Sequence, residues 1–353
     1  MLYRHVPAGF RYSYIVPLPK LKDCRTKSVN CNDFRGITIS PILSKVFEHC
    51  ILDRFGSSFV SCNAQFGFKK NSGCRNAIHS VRKIVERLTK CNNTVNICSL
   101  DLSKAFDKVN HYGLYIKLMK RLIPVVLLEV LENWLSGCFA FVKWHDSHSS
   151  VFNIRFGVRQ GSVLSPYLFS IYIDDVGKLC DFRNGSFVLL YADDILLISS
   201  SVSELQSLVT ACEKVLLALD MSLNAGKSCC MSIGSRFDKP CANVCTHDGR
   251  QLSWVKELRY LGIFIVSSRN FKCSLDHAKR SFYRAANSIF GKIWRIASGD
   301  VLIELLKTKC MPVLLHGFEV CNLCKRDLYS LDFVVNRFFM KLFRTSDISA
   351  IAY

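Results

Sequence analysis

Val188-Leu-Leu-Tyr-Ala-Asp-Asp-Ile-Leu-Leu-Ile198 is an apolar run broken only by Asp193 and Asp194. Two carboxylates amid such hydrophobics are too costly to bury as bare ions. A β-hairpin with both acids at its tip, facing something cationic, avoids that cost. Hard divalent ions such as Mg²⁺ prefer carboxylate oxygens and are the natural cation there. Taken by itself, however, an Asp-Asp pair is also a common turn choice.

A second element reads the same way. Val95-Asn-Ile-Cys-Ser-Leu-Asp101 is a buried strand ending on a carboxylate. Alone, a strand-end Asp is more often a cap or turn residue. The two elements lie 92 residues apart, so only the fold can join them. On adjacent strands they could hold two ions about 3.5–4 Å apart, which would activate a 3′-hydroxyl and stabilise leaving pyrophosphate. A third pair, Asp174-Asp175, sits late in a helix that opens at Ser165-Pro166, a good cap followed by a good first position. These two are expected to be surface acids.

Around these elements, strands alternate with helices along 353 residues, half of them hydrophobic, so the class is α/β or α+β with more than one subdomain. Tyr14 to Lys20 reads as a strand. Residues 40 to 55 read as a helix opened near Ser40-Pro41, with Ile42, Val46 and Ile51 on its apolar period. Lys and Arg total 47 against 28 acids, a formal net charge of +19, which suggests a polyanionic partner. Residues 65–90 and 269–295 each hold seven basic residues and one acid. The second stretch interleaves Phe271, Phe282, Tyr283 and Trp294, a mixture suited to a nucleic-acid groove.

Other classes recede. No run of about 18 apolar residues suggests a membrane span, and the first residues carry no secretory core, so an intracellular, cytoplasmic or nuclear setting is expected. The 18 cysteines are too sparse for a disulfide framework and read as free thiols. Cys321 and Cys324 after His316, and Cys241, Cys245 and His247, each lack a fourth ligand for structural zinc.

The motifs carry a specific resemblance. Ser99-Leu-Asp-Leu-Ser-Lys-Ala-Phe-Asp-Lys-Val-Asn110 resembles motif A of non-LTR (LINE-type) retrotransposon reverse transcriptases. Gly157-Val-Arg-Gln-Gly-Ser-Val-Leu-Ser-Pro166 is similar to their motif B, and Leu190-Tyr-Ala-Asp-Asp194 to motif C. Asp33-Phe-Arg-Gly-Ile-Thr-Ile-Ser40 and Gln65-Phe-Gly-Phe68 match fingers blocks. Leu223-Asn-Ala-Gly-Lys227 resembles motif D, and Leu258-Arg-Tyr-Leu-Gly-Ile263 motif E, the primer grip. Seven blocks stand in order across about 14–265. Cys310-Met-Pro-Val-Leu-Leu-His-Gly317 looks like the thumb of jockey-like and chicken-repeat-like elements. Group II intron enzymes usually have a second Gly where Ser162 stands, and retroviral ones favour Leu-Pro in place of Val158-Arg159.

The resemblance implies an α+β right hand of fingers, palm and thumb, with an antiparallel palm sheet flanked by helices. Residues 1–94 would be fingers (N-terminally incomplete), 95–265 palm with some fingers segments inserted, and 266–353 a C-terminally truncated thumb-like region. It implies RNA-directed DNA polymerase activity on an RNA template, a DNA primer and dNTPs, with two Mg²⁺ or Mn²⁺ ions. Asp101 and Asp193 would ligate both ions, with the Leu102 carbonyl as a backbone ligand and Asp194 in support. Phe106 falls at the steric-gate position. Gln160 and Gly161 would touch nucleotide and template, with Tyr191 also at the substrate. Lys20 and Arg35 would grip the triphosphate, and Lys227 would protonate pyrophosphate. Tyr260, Leu261 and Gly262 would set the primer end. The alternative is an inactive or co-opted remnant that only binds nucleic acid.

Overall fold

The decisive run folds into two antiparallel strands, Phe187–Tyr191 and Asp194–Ser199, joined by Ala192 and Asp193. The computed structural model describes residues 4–20, 30–90, 92–294 and 296–347. Thr94–Leu100 lies antiparallel beside Asp194–Ser199, with Leu100 opposite Ile195. This register sets Asp101 beside the acidic turn. The full sheet runs in the order Val244–Cys245, Gln251–Trp254, Cys229–Gly234, Thr94–Leu100, Asp194–Ser199, Phe187–Tyr191. The named strands next to the acids pair antiparallel, as expected. Gln251–Trp254 departs from that expectation by pairing parallel to Cys229–Gly234.

Both faces of the central strands are covered, which is why Phe187–Tyr191 and Asp194–Ser199 read as near-continuous apolar runs rather than alternating. Cys98, Leu100, Val188, Leu190, Ile195 and Leu197 face one core, with helices His111–Lys120, Val125–Ser136, Ser165–Tyr172 and Val202–Leu217. Val95, Ile97, Leu189, Leu196 and Ile198 face the other, with helices Cys74–Thr89, Asp276–Ile293 and Lys325–Phe343. A second sheet pairs Tyr12–Pro19 antiparallel with Phe34–Ile39 and parallel with Phe139–Trp144. A third contains Glu257–Tyr260, Ile263–Val266 and Lys272–Cys273. No helix among the described residues is long and apolar enough to cross a membrane.

Several expectations are corrected. The helix Ile42–Phe55 turns Ser44, Glu48 and Ile51 inward, while Ile42 and Val46 are exposed. The cause is Glu48, whose buried carboxylate accepts from Ser162 Oγ and from Leu164 N (2.8 Å). Asp174 is buried, not a surface acid: it accepts from Cys62 N (2.6 Å) and pairs with Arg121. Asp175 does lie near the surface, and Lys178 and Lys117 outweigh its burial and take it down to about 2. Of the aromatics in 269–295, Phe282 is fully buried and Phe271, Tyr283 and Trp294 pack against the core. The helix from Cys74 spends basic residues on the chain itself, with Arg75 on Glu319 (3.0 Å) and Arg82 on Glu86 and the Val320 carbonyl. Lys69 donates to the Cys62 carbonyl.

Candidate active site

Asp101 follows a strand that ends at Leu100, so its backbone needs partners beyond the ladder. Its N–H donates to Ser228 Oγ (3.0 Å), and its carbonyl accepts from Asn224 N (2.8 Å). The segment Asn224–Ser228 is thereby tied to the metal-binding candidate, and brings Lys227 Nζ to 4.0 Å from Asp101 Oδ2. Burial pushes the Asp101 carboxyl up, Lys227 pulls it down, and Asp193 raises it again. Asp194 is pushed up to about 6, first by burial, then by Asp193 and Asp101. The three carboxylates thus stand close enough to repel one another. They are short of positive charge.

That shortage fits a divalent cation. Among the described residues no three His, Cys, Asp or Glu side chains are gathered into a ready cage. Mg²⁺ does not need one, since it is usually held by one or two carboxylates together with substrate phosphates and water. Asp101 and Asp193 could supply the carboxylates, and Leu102, beside Asp101, lines the same cleft.

The cleft itself measures about 1020 Å³ and brings together most of the residues singled out in the sequence. Lys20, Arg35, Asp101, Leu102, Phe106, Gln160, Gly161, Asp193 and Lys227 all line it. Arg35 comes from the N-terminal sheet, opposite Leu18, and Lys20 N donates to the Asp33 carbonyl (2.7 Å). The Gln160 carbonyl accepts from Thr38 N (2.7 Å), and its amide donates to Asp107 Oδ1 (3.2 Å). Gly161 has φ of 124°, and a Cβ there would stand 2.4 Å from the Thr38 carbonyl oxygen. Only glycine permits that approach. Phe106 lies half-buried, stacked on Phe169 (centroids 4.4 Å), with Phe68 edge-on.

Besides Asp194, which does not line the cleft, four more of the named residues stand elsewhere. Tyr191 turns away from the cleft, and hydrogen bonding to Cys74, followed by burial, pushes its hydroxyl up to about 12. Tyr260 is buried, and its hydroxyl is pushed up chiefly by burial and then by Asp194. Leu261 and Gly262 form the turn after it, both at positive φ. Residues that sequence reasoning passed over include Phe68, Asp107, Arg159 and Asn224 on the cleft, and Glu48 and Gln65 behind it. The motif blocks contained most of them. Their roles, however, depend on contacts made across the fold.

The Asp194 shift has a measurable consequence. The folded carboxyl holds its proton up to about 6, against 3.8 for the free group. Between those values the folded state binds more protons, so stability is lost as pH rises through the folded pKa. In metal-free buffer, Asp194→Asn is expected to flatten the fall of melting temperature between pH 4 and 6. Parallel wild-type and variant curves would mean that this carboxyl titrates normally.

The chain matches the family model described as reverse transcriptase (RNA-dependent DNA polymerase) over residues 19–265. It is 28% identical over 320 residues to the RNA-directed DNA polymerase from mobile element jockey of Drosophila funebris, covering 84% of this chain and 34% of that protein. It is 25% identical over 330 residues to the Pol polyprotein of the type-2 retrotransposable element R2DM of Drosophila melanogaster, covering 88% and 30%. It thus spans about a third of the length of these relatives. Telomerase from Candida tropicalis, in complex with a TWJ fragment of telomeric RNA, superposes with a TM-score of 0.53 at 11% identity, covering 96% of this chain and 62% of that one. Apo telomerase from the same organism, truncated from its C-terminal domain, gives 0.51 at 12%, covering 76% and 56%. At such identity the likeness is one of fold, and it bears out the right-hand α+β architecture.

Proposed function

Because the chain belongs to the reverse transcriptase (RNA-dependent DNA polymerase) family, and its relatives are polymerases of non-LTR elements, we propose that it is an RNA-directed DNA polymerase. It would add deoxynucleotides from dNTPs to a DNA primer along an RNA template. The observation that carries this reading is the single cleft that gathers Asp101 and Asp193 with cationic, aromatic and glycine positions around one volume.

Asp101, Asp193 and the Leu102 carbonyl would hold two Mg²⁺ or Mn²⁺ ions, with Asp194 in support. Such ions, when bound, lower the pKa of the attacking hydroxyl and neutralise charge on the leaving phosphate. Lys20 and Arg35 grip the triphosphate, since cationic donors form strong bonds with phosphate oxygens. Gln160 and Gly161 form the surface under nucleotide and template, where the Thr38 bond holds the loop in place. Phe106 closes the space beneath the sugar. Lys227 rests loosely on Asp101 and is free to move to the departing pyrophosphate and give it a proton. Tyr260 anchors, from within the core, the Leu261-Gly262 turn that meets the primer end. In this reading residues 1–94 act as fingers, 95–265 as palm and 266–353 as thumb. The sheet pairing of 12–19 with 139–144 supports fingers segments inserted in the palm.

The test is primer extension by the purified chain on poly(rA)/oligo(dT) with dTTP. Labelled product that depends on Mg²⁺ or Mn²⁺ is expected. Tight binding of the duplex with no extension under either ion would favour the remnant that only binds nucleic acid.

A further inference from the structure

The acidic turn is held from behind. Gln65-Phe66-Gly67 runs beside the Phe187–Tyr191 strand as a short parallel bridge, with Phe66 N donating to the Leu190 carbonyl and Leu190 N to the Ala64 carbonyl (both 2.8 Å). Gln65 is 1% exposed. Its Oε1 accepts from two backbone amides, Gly67 N (2.9 Å) and Ala192 N (3.1 Å). Its Nε2 meets no hydrogen-bond partner among the described residues, so the oxygen is the working half of this amide.

Ala192 is the residue that needs holding. It is the first of the two loop residues, with φ of 55°, and Asp193 is the second. Glycine adopts that backbone readily, whereas alanine adopts it only where its surroundings impose it. The approach is also close: a Cβ on Gly67 would lie 2.6 Å from Ala192 N. The contact is therefore specific to this pair of segments, one from the fingers side and one bearing the carboxylates.

We propose that Gln65 is a positioning residue for the reaction: by accepting from Ala192 N, it fixes the turn that aims Asp193 into the cleft. The inference rests on the polymerase reading above. Loss of the acceptor leaves Ala192 N buried and unpaired, and the turn relaxes towards an easier backbone. A displacement of about 1 Å at a reacting group can cost on the order of 10²-fold in rate.

Gln65→Met keeps nearly the same volume and removes the acceptor. Three measurements decide: kcat against KM in single-nucleotide extension, primer–template Kd, and Mn²⁺ binding without substrates by electron paramagnetic resonance. The expected result is a kcat lower by about 10–100-fold, with KM and Kd within about twofold of wild type. Mn²⁺ affinity should fall at least threefold. A lower melting temperature with unchanged kcat and Mn²⁺ affinity would make Gln65 an ordinary core residue and overturn the proposal. If Gln65→Met fails to fold, amide exchange of Ala192 in the wild type still decides. Slow exchange supports the bond, and exchange at the rate of an open loop refutes it. A wild-type chain that extends no primer would end the polymerase reading, leaving Gln65 to be judged on Mn²⁺ affinity and Ala192 exchange alone.

Discussion

Asp101→Asn and Asp193→Asn are each expected to lower primer extension by about 10³-fold or more while the protein stays folded. Carboxylate-held ions supply several kcal/mol of transition-state stabilisation, and each 1.4 kcal/mol is a factor of ten in rate. An amide is nearly the same size but offers no anionic oxygen to a hard cation. Folding should not suffer. Asp193 is exposed, Asp101 sits at a strand end, and both belong to a group whose members repel one another. Removing one charge should leave the metal-free melting temperature unchanged or slightly raised. Single-nucleotide extension, run beside thermal melts in EDTA, checks both halves. Near wild-type extension by either folded variant would show that the ions are held elsewhere. Asp194→Asn should cost less, because Asp194 does not line the cleft.

That contrast between near neighbours shows what the sequence could disclose. The hairpin and the strand ending at Asp101 were legible because apolar runs with embedded carboxylates have few solutions: the acids must go to an end or a tip. Both did. The resemblance then supplied an order of blocks, and the cleft gathers residues from six of them. Buried polar residues were not legible. Glu48 and Asp174 look like surface acids in a helical pattern, yet each is a buried acceptor for backbone N–H groups more than 100 residues away. Nothing local announces such a partner. Gln65 was quoted only as part of a matching block, and its task depends on Ala192, 127 residues on.

The basic stretches were only partly legible, for the opposite reason. Their composition suggested a groove, but a helix has several faces and composition averages over them. In Asp276–Ile293 the aromatics turn towards Phe338 and the core, as Phe282 and Phe290 do. In Cys74–Thr89 two of the arginines bind Glu319 and Glu86. The net charge of +19 still favours a polyanion, but these two helices are less free to meet it than the count implied.

Phe106→Val is expected to raise ribonucleotide incorporation relative to deoxyribonucleotide by roughly 10–100-fold, a size set by about 1.4–3 kcal/mol of relieved collision. The 2′-hydroxyl is the only difference between the two precursors at the sugar, so it must be refused by shape. The ring of Phe106 meets the requirement from a half-buried place: it lines the cleft on one side and stacks on Phe169 at 4.4 Å on the other. The stack holds the ring still, and a mobile ring would be a poor gate. It also means the substitution has two effects. Truncation leaves a gap against Phe169 and Phe68, costing on the order of 2–4 kcal/mol, so the melting temperature should fall in any case. Stability therefore cannot separate a gate from a core residue here, and the ratio of rNTP to dNTP efficiency must. Phe169→Leu supplies the control, since it loosens the same stack without emptying the space under the sugar. If Phe106→Val and Phe169→Leu lose comparable stability and only the first changes the ratio, Phe106 is the gate. An unchanged ratio in Phe106→Val, beside a lowered melting temperature, would leave it a packing residue at the edge of the cleft.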